Sequence, residues 1–271
     1  MMRSTIQAII STMQNKGNPV VVSERRHGVQ SIARAAAVLR TLETAPAGLG
    51  LGELAVEVGL AKSTVHRLVG ALVEEGFAAR GADGRVRLGP ALARLGAASQ
   101  EALGERLRPV LLGLRRELDE TVDLAVPDGT SVRFVDQVPA PHRLRTVSSI
   151  GELFPLHCTA NGKALLAAMP TDRVLALLPE QLPRLTAVTI TRRSELLLEL
   201  SEVSGSGIAF DREEHSEGIC AVGAAITTGD GSAIAAISIP VPAQRFAGRE
   251  DELAMKVRDA AAAATDLLAG G

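Results

Sequence analysis

Tryptophan and tyrosine are absent from the 271 residues, and phenylalanine occurs only five times. Readers of single-stranded nucleic acid stack bases on aromatic side chains, so this scarcity argues against an RNA-recognition sheet or a nonspecific single-strand binder. Cysteine is almost as scarce. Cys158 and Cys220 cannot form a disulfide framework and lack the CxxC spacing of a zinc ribbon or thioredoxin site, which fits a reducing compartment. Long apolar runs are missing too: stretches such as 219–226 and 233–241 fall well short of the roughly 20 residues that cross a bilayer, so no membrane partner is expected. Near the start, Gln7, Ser11, Thr12 and Gln14 break up the patch at Ile9 and Ile10, leaving no apolar region of a signal peptide. A cytoplasmic location is the expectation.

What is present is a globular composition, 46% hydrophobic and 22% charged, with length enough for two domains. The net charge of −2 conceals an asymmetry. Residues 1–94 hold 12 Lys+Arg against 7 Asp+Glu, whereas 95–271 hold 17 against 24. A basic module that meets a polyanion, joined to an acidic module with another task, is one reading; unequal solvated surfaces are the other.

Residues 1–23 show no sustained period and include Gly17, Asn18 and Pro19, which reads as an extension, with order expected from near His27. From Ser31, an expected N-cap, apolar residues at Ile32, Ala35, Ala36, Leu39 and Leu42 follow helical spacing. A short helix over 52–58, a tight turn at Gly59, Leu60 and Ala61, and a helix over 62–75 ending at Gly76 come next. Strands at 77–80 and 85–88 flank an Asp83-Gly84 turn. Three helices and a two-stranded ribbon make a winged helix-turn-helix. Pro90 opens a connector helix, followed by a helix over 105–118. The period then changes to two, predicting strands at 121–126, 131–138 and 144–148, helices at 160–169, 172–178 and 194–203, strands at 207–210, 219–227 and 233–240 with an Asp230-Gly231 turn, and a closing helix over 250–268.

In a helix-turn-helix the second helix presents its first polar residues to base edges in the major groove. Here these are Lys62, Ser63, Thr64, His66 and Arg67, with Val65, Leu68 and Leu72 turned inward. Arg67 suits bidentate contact with guanine, and Ser63 and Thr64 stand where helix-terminal hydroxyls meet phosphate. Arg80, Arg85 and Arg87 flank the hairpin and suit phosphate or the minor groove. An ordinary polar helix face is the alternative for the helix alone; the adjoining basic wing favours double-stranded DNA.

The run GLAKSTVHRLVGALVEEGF followed by RVRLGPALARLG closely resembles the DNA-binding half of IclR-type bacterial transcription regulators. Further motifs stand in family order: GELFPLHCTANGKALLAAM at 151–169, GIAFDREEHSEGICAVGAAI at 207–226 and AIAAISIPVPAQRF at 233–246. The resemblance implies an α+β chain: a winged helix-turn-helix at 27–89 after an extension at 1–26, a linker helix at 90–104, and a GAF-like effector-binding domain with an antiparallel sheet at 105–271. It further implies a homodimer or dimer of dimers on operator DNA, acting as repressor or activator, with a small-molecule effector and no other cofactor. Ligand contacts carried over by motif position fall at Ala160 and Asn161, Asp211, Ala221, and Ser238 with Pro240. The family's Gly-Ala or Thr-Ala step is here Ala160-Asn161, its second strand serine is Pro240, and its frequent cysteine is shifted to Cys220. Altered specificity, or no small ligand at all, is left open by these departures.

The residues themselves add one expectation and two alternatives. Thr159 can cap a helix whose first turn holds Ala160, Asn161 and Gly162, and free N–H groups there suit a small carboxylate; Asp211 at the far end would then accept a hydroxyl, favouring a hydroxy or keto acid. The His157-Cys158 pair could supply an activated thiolate, but strand neighbours point to opposite faces. His157, Cys158, His215 and Cys220 could also ligate zinc, though nothing fixes their convergence. An enzyme tethered to a DNA-binding module and a constitutive binder with a merely oligomerising second domain are thus the rivals of a ligand-responsive, non-enzymatic regulator.

Overall fold

The computed structural model describes residues 30–142, 150–229 and 231–270. The N-terminal extension, the strand expected at 144–148 and Asp230 of the expected turn lie outside the described residues. Two compact units divide the chain after Ser99. Among the described residues no helix is long and apolar enough to cross a membrane.

In the first unit, helices α1 (Gln30–Glu43), α2 (Leu51–Glu57) and α3 (Lys62–Glu74) precede the antiparallel hairpin β1 (Ala78–Arg80) and β2 (Val86–Leu88). Apolar residues three and four apart turn Val38 and Leu42 of α1, Leu54 of α2, and Val65, Val69 and Leu72 of α3 into one core, closed by Val86. Gly76 ends α3 with φ +73°, a left-handed conformation that glycine adopts without cost. Two expectations need correction. Ser31 lies inside α1, whose first described helical residue is Gln30, and Ile32 is 69% exposed because it falls off the stripe that runs through Val38 and Leu42.

One helix, α4 (Pro90–Leu118), replaces the separate connector and following helix expected from sequence. Pro109 lies inside it. Pro109 stands on the exposed side, where a missing backbone N–H leaves no buried carbonyl orphaned.

The second unit is built on a six-stranded antiparallel sheet of order β5-β4-β3-β8-β7-β6, where β3 is Val122–Asp128, β4 Ser131–Val138, β5 Leu153–Pro155, β6 Ala209–Arg212, β7 Ile219–Thr227 and β8 Ala233–Pro242. Alternation along the strands divides the core into two layers. One face carries Val222, Ile237 and Ile239 against Leu107, Leu111 and Leu114 of α4 and against Leu253 and Val257 of the closing helix, Glu250–Ala269. The other face carries Ala125, Ala209 and Ala236, and small residues there let helices α5 (Ala160–Ala167) and α7 (Arg193–Ser206) pack close through Leu165, Leu166, Leu196 and Leu200. Between them lies α6 (Thr171–Leu177). The short α8 (Ala243–Phe246), unforeseen in the sequence, holds Arg245 in a forked pair with buried Glu120, at 2.9 and 2.7 Å.

The register aligns two cross-strand rows. Asp123 of β3 faces Ser238 of β8, which faces Gly223 of β7; two residues on, Pro240 faces Ala221, which faces Asp211 of β6. Gly223 is the position on which this arrangement turns. A Cβ built there stands 2.9 Å from the carbonyl carbon of Ala160 and 3.0 Å from the nitrogen of Asn161, so the bare backbone admits the start of α5 onto the sheet. Gly223→Ala should therefore cost about 1–3 kcal/mol in urea denaturation, as overpacking against rigid backbone does. Gly113→Ala, in α4 with nothing within 4 Å, should instead gain about 0.5–1 kcal/mol by removing a helix glycine. Equal effects of the two would contradict the close-approach account.

Candidate functional site

On α3, Lys62, Ser63, His66 and Arg67 are exposed and Thr64 is half-buried, so the five polar residues form the outer stripe that the spacing predicts. Ala61 offers no side-chain cap, which leaves the first N–H groups of α3 without a side-chain acceptor from the N-cap residue. The wing is more tied down than its basic sequence suggests. Arg85 donates to the Gly48 carbonyl at 2.7 Å and pairs with Glu53 at 3.3 Å, bracing the hairpin against the approach to α2. Arg87 makes a forked pair with Asp83 at 3.2 and 2.6 Å, and that hydrogen bond holds the Asp83 carboxyl down to about 2. Arg80 is exposed at the end of β1.

In the second unit the two cross-strand rows form the floor of a cavity of about 240 Å³. Seven of the eight residues expected to contact an effector line it: Thr159, Ala160, Asn161, Asp211, Ala221, Ser238 and Pro240. Gly162 does not. Its Cα hydrogens face the Leu156 carbonyl, and its N–H is consumed by Thr159 Oγ1 at 3.2 Å and Asn161 Oδ1 at 2.9 Å. The expected N-cap is thus present, but it withdraws a donor from the anion site, leaving at most the N–H groups of Ala160 and Asn161 for a ligand. The Thr159 hydroxyl in turn donates to the Pro155 carbonyl at 2.9 Å.

Sequence reasoning missed the other walls. Phe154 of β5 meets Phe134 of β4 edge-on at 4.9 Å and lies flat on His215 at 4.0 Å, and all three rings line the cavity with Asp123, Ser216 and Ile219. Asp123 carried a readable signal: a carboxylate between Val122 and Leu124 in a strand buried on both faces, where it accepts from Gln137 Nε2 at 2.7 Å. Phe154 had none, because the edge strand 153–155 is too short to show a period.

Asp211 is buried and its Oδ1 accepts the backbone N–H of Glu214 at 2.8 Å and of His215 at 3.3 Å. It therefore builds the β6–β7 turn as well as facing the cavity. Burial pushes its carboxyl up to about 7, outweighing the two N–H donors that favour the charged form. Behind it, fully buried Lys163 of α5 bonds Glu199 of α7 and Glu214 of the turn, each at 2.5 Å. The Thr189 hydroxyl fixes the Glu214 carbonyl at 2.6 Å.

His157 and Cys158 occupy a 3-10 turn, Leu156–Cys158, rather than the strand assumed for them. The His157 ring faces the Pro183 carbonyl at 2.9 Å, and burial pushes the Cys158 thiol up to about 12 and the Cys220 thiol to about 11. Both therefore stay protonated near neutrality, the opposite of an activated thiolate. Among the described residues no group of three or more His, Cys, Asp or Glu is placed to hold a metal ion.

The raised Asp211 carboxyl has a pH signature. Between about pH 4 and 7 the folded protein holds a proton that the unfolded chain has released, so stability falls as pH rises through this window, on the order of 1 kcal/mol per unit. Asp211→Asn keeps an oxygen for both N–H donors and removes the titration. Its urea midpoint relative to wild type should rise from pH 5 to pH 8; an offset independent of pH would contradict a buried, titrating Asp211.

Comparison with known proteins agrees with this architecture. Residues 31–81 match the IclR helix-turn-helix domain, and residues 96–265 match the family model described as bacterial transcriptional regulator IclR, C-terminal. The HTH-type transcriptional regulator Rv1719 of Mycobacterium tuberculosis is 52% identical over 85% of this chain and 89% of its own length. A transcriptional regulator of Rhodococcus sp. RHA1 has a similar structure, with a TM-score of 0.60 at 29% identity over 89% of this chain and 98% of that one. An IclR homolog from Microbacterium hydrocarbonoxydans, solved in complex with 4-hydroxybenzoate, gives a TM-score of 0.56 at 26% identity over 88% and 98% of the two chains. With both of its units matched in order by the two domains of one family, this chain belongs to the IclR family of bacterial transcriptional regulators.

Proposed function

We propose that this chain is a ligand-responsive regulator that reads double-stranded operator DNA with α3 and the β1–β2 wing and senses a small molecule in the cavity of its second unit. The observation that carries the reading is the convergence of residues from four separate stretches of the chain on a cavity of about 240 Å³. A constitutive binder would have that space filled. The structural neighbour holding 4-hydroxybenzoate supports a small-molecule occupant here. Protonated thiols and histidines engaged in packing favour sensing over catalysis, and no resident cofactor belongs to the reading. The chain works in the cytoplasm, where its operator is.

On DNA, Arg67 and His66 read base edges, Lys62, Ser63 and Thr64 meet phosphate, and Arg80 reaches the backbone from the wing. Arg85 and Arg87 serve there chiefly by stiffening the hairpin, since both are already paired. Exposed Ile32 and Leu95 supply apolar surface for a homodimer or dimer of dimers, whose paired α3 helices would read half-sites about 34 Å apart. Ile32→Asp should shift the sedimentation profile toward smaller species at micromolar concentration. An unchanged profile would remove Ile32 from the interface.

Gel-shift titration with operator and random duplex tests the DNA roles. Arg67→Ala should cost about 1–3 kcal/mol on operator and far less on random sequence, whereas Arg80→Ala should weaken both alike and reduce the salt slope. Equal loss on both duplexes for Arg67→Ala would reassign it to phosphate. Thermal-shift hits among metabolites, retested for operator release, examine the sensing half; intrinsic fluorescence is nearly blind in a chain without Trp or Tyr.

A further inference from the structure

The chemical class of the effector can be argued from the donors and acceptors of the cavity, on the reading that this cavity is the effector site. Several groups that could receive a carboxylate are spent, leaving at most the Ala160 and Asn161 N–H groups, the Asn161 amide and the Ser238 hydroxyl among the lining donors. The Gly162 N–H is bonded to Thr159 and Asn161, the Thr159 hydroxyl donates to Pro155, the Ser216 hydroxyl bonds His215 Nδ1 at 2.9 Å, and Pro240 offers neither hydroxyl nor N–H. The charged side chains lining the cavity are acidic. Carboxylates of Asp211 and Asp123 both face the space, and the described residues lining it include no Lys or Arg. Lys163 is bonded to two glutamates, so that cluster carries a net negative charge when all three groups are ionised. With Asp211 ionised, above about pH 7, a ligand carboxylate beside it would set like charges together in a buried site, whereas an O–H or N–H would satisfy it.

Shape narrows the class further. Two of only five phenylalanines are spent on this wall, with His215 stacked at 22° on Phe154 to extend a flat aromatic surface. Such a surface favours another ring in offset or edge-on contact. A cavity of about 150 Å³ holds a benzene; at about 240 Å³ this one takes a substituted ring or two fused rings, and a two- or three-carbon acid would leave most of it empty.

We infer that the cavity selects an uncharged aromatic compound of one or two rings that presents an O–H or N–H donor to Asp211, in preference to the same ring carrying a carboxylate. This replaces the small carboxylate expected from the helix start alone, because the cap at Gly162 and the facing aspartates reverse the balance of the site.

Calorimetric titration of the full-length protein at pH 8, where Asp211 is ionised, with 4-ethylphenol, 4-hydroxybenzoate and ethylbenzene tests it. Expected is 4-ethylphenol tighter than either of the others by at least ten-fold. Tighter binding of 4-hydroxybenzoate would overturn the class while leaving the cavity as the effector site, and equal binding of ethylbenzene would overturn the role of the donor. Asp211→Asn, which retains the turn's acceptor oxygen, should move the ratio of 4-ethylphenol to 4-hydroxybenzoate affinity at least ten-fold toward the benzoate. An unmoved ratio in a variant that still binds would remove Asp211. Saturable binding of pyruvate with none of the aromatic probes would also overturn the class. Failure of every probe to bind, joined to operator binding unmoved by the metabolite screen, would overturn both this inference and the sensing function beneath it.

Discussion

The close approach of α5 to the sheet at Gly223 organises everything else in the second unit. A helix start cannot ordinarily rest within van der Waals contact of a strand backbone, because the intervening Cβ keeps the two apart. With that atom missing, the Ala160–Asn161 peptide settles between Ser238 and Ala209, the cross-strand neighbours of Gly223. The turn that precedes α5 then follows, and Thr159 reaches the same cavity as Asp211 and Ser238. Small residues around this point, Ala209, Ala221 and Ala236, extend the same logic across the face. The opposite face, filled by Val222, Ile237 and Ile239, has no such gap.

The buried Lys163 cluster holds the second wall in place. A fully buried ammonium needs anionic partners, and Glu199 and Glu214 come from elements that are otherwise separate, α7 and the β6–β7 turn. Removing either partner would leave charge stranded in the interior, so the turn is held to α5. That turn carries Asp211's two N–H donors and the His215 ring that stacks on Phe154. Charge, turn geometry and the aromatic wall are thus one connected structure. Its cost is the uncompensated Glu214 Oε2, the buried side-chain atom without a hydrogen-bond partner among the described residues, and burial accordingly raises the Glu214 carboxyl.

Legibility in the sequence followed the length scale of each signal. Helices with several turns, such as α3 and the closing helix, and long hairpins, such as β7–β8, announce themselves by period and turn residues. The three-residue edge strand β5 and the four-residue α8 carry too few residues for a period, and pairing to β4 and to Glu120 defines them instead. In the cavity Asp123 and Ser216 were missed, while Asn161, Asp211 and Ser238 were found from motif positions. Its aromatic wall was not, since it depends on the packing of three side chains from three elements. The donor count at the start of α5 has a related limit: sequence shows that Thr159 can cap, but only geometry shows that Gly162 is the donor it consumes. Likewise Arg85 and Arg87 read as free cations until Gly48, Glu53 and Asp83 are seen to hold them.

Strand alternation also constrains how a ligand could alter DNA binding. Successive residues of β7 and β8 serve opposite faces: Ala221, Ser238 and Pro240 meet the cavity, while Val222, Ile237 and Ile239 pack in the core that includes Leu107, Leu111 and Leu114 of α4. These strands thus share a core with a helix that starts at Pro90, directly after β2 in the chain. Occupancy alone does nothing. A ligand biases DNA affinity only to the extent that it binds one arrangement of strands and α4 more tightly than another, and that preference must come from groups whose position changes between them. Asp211 fits this requirement better than the aromatic wall does. Its carboxyl group is already bonded to the turn, so a donor that competes for it alters the hydrogen bonds that shape the turn between β6 and β7.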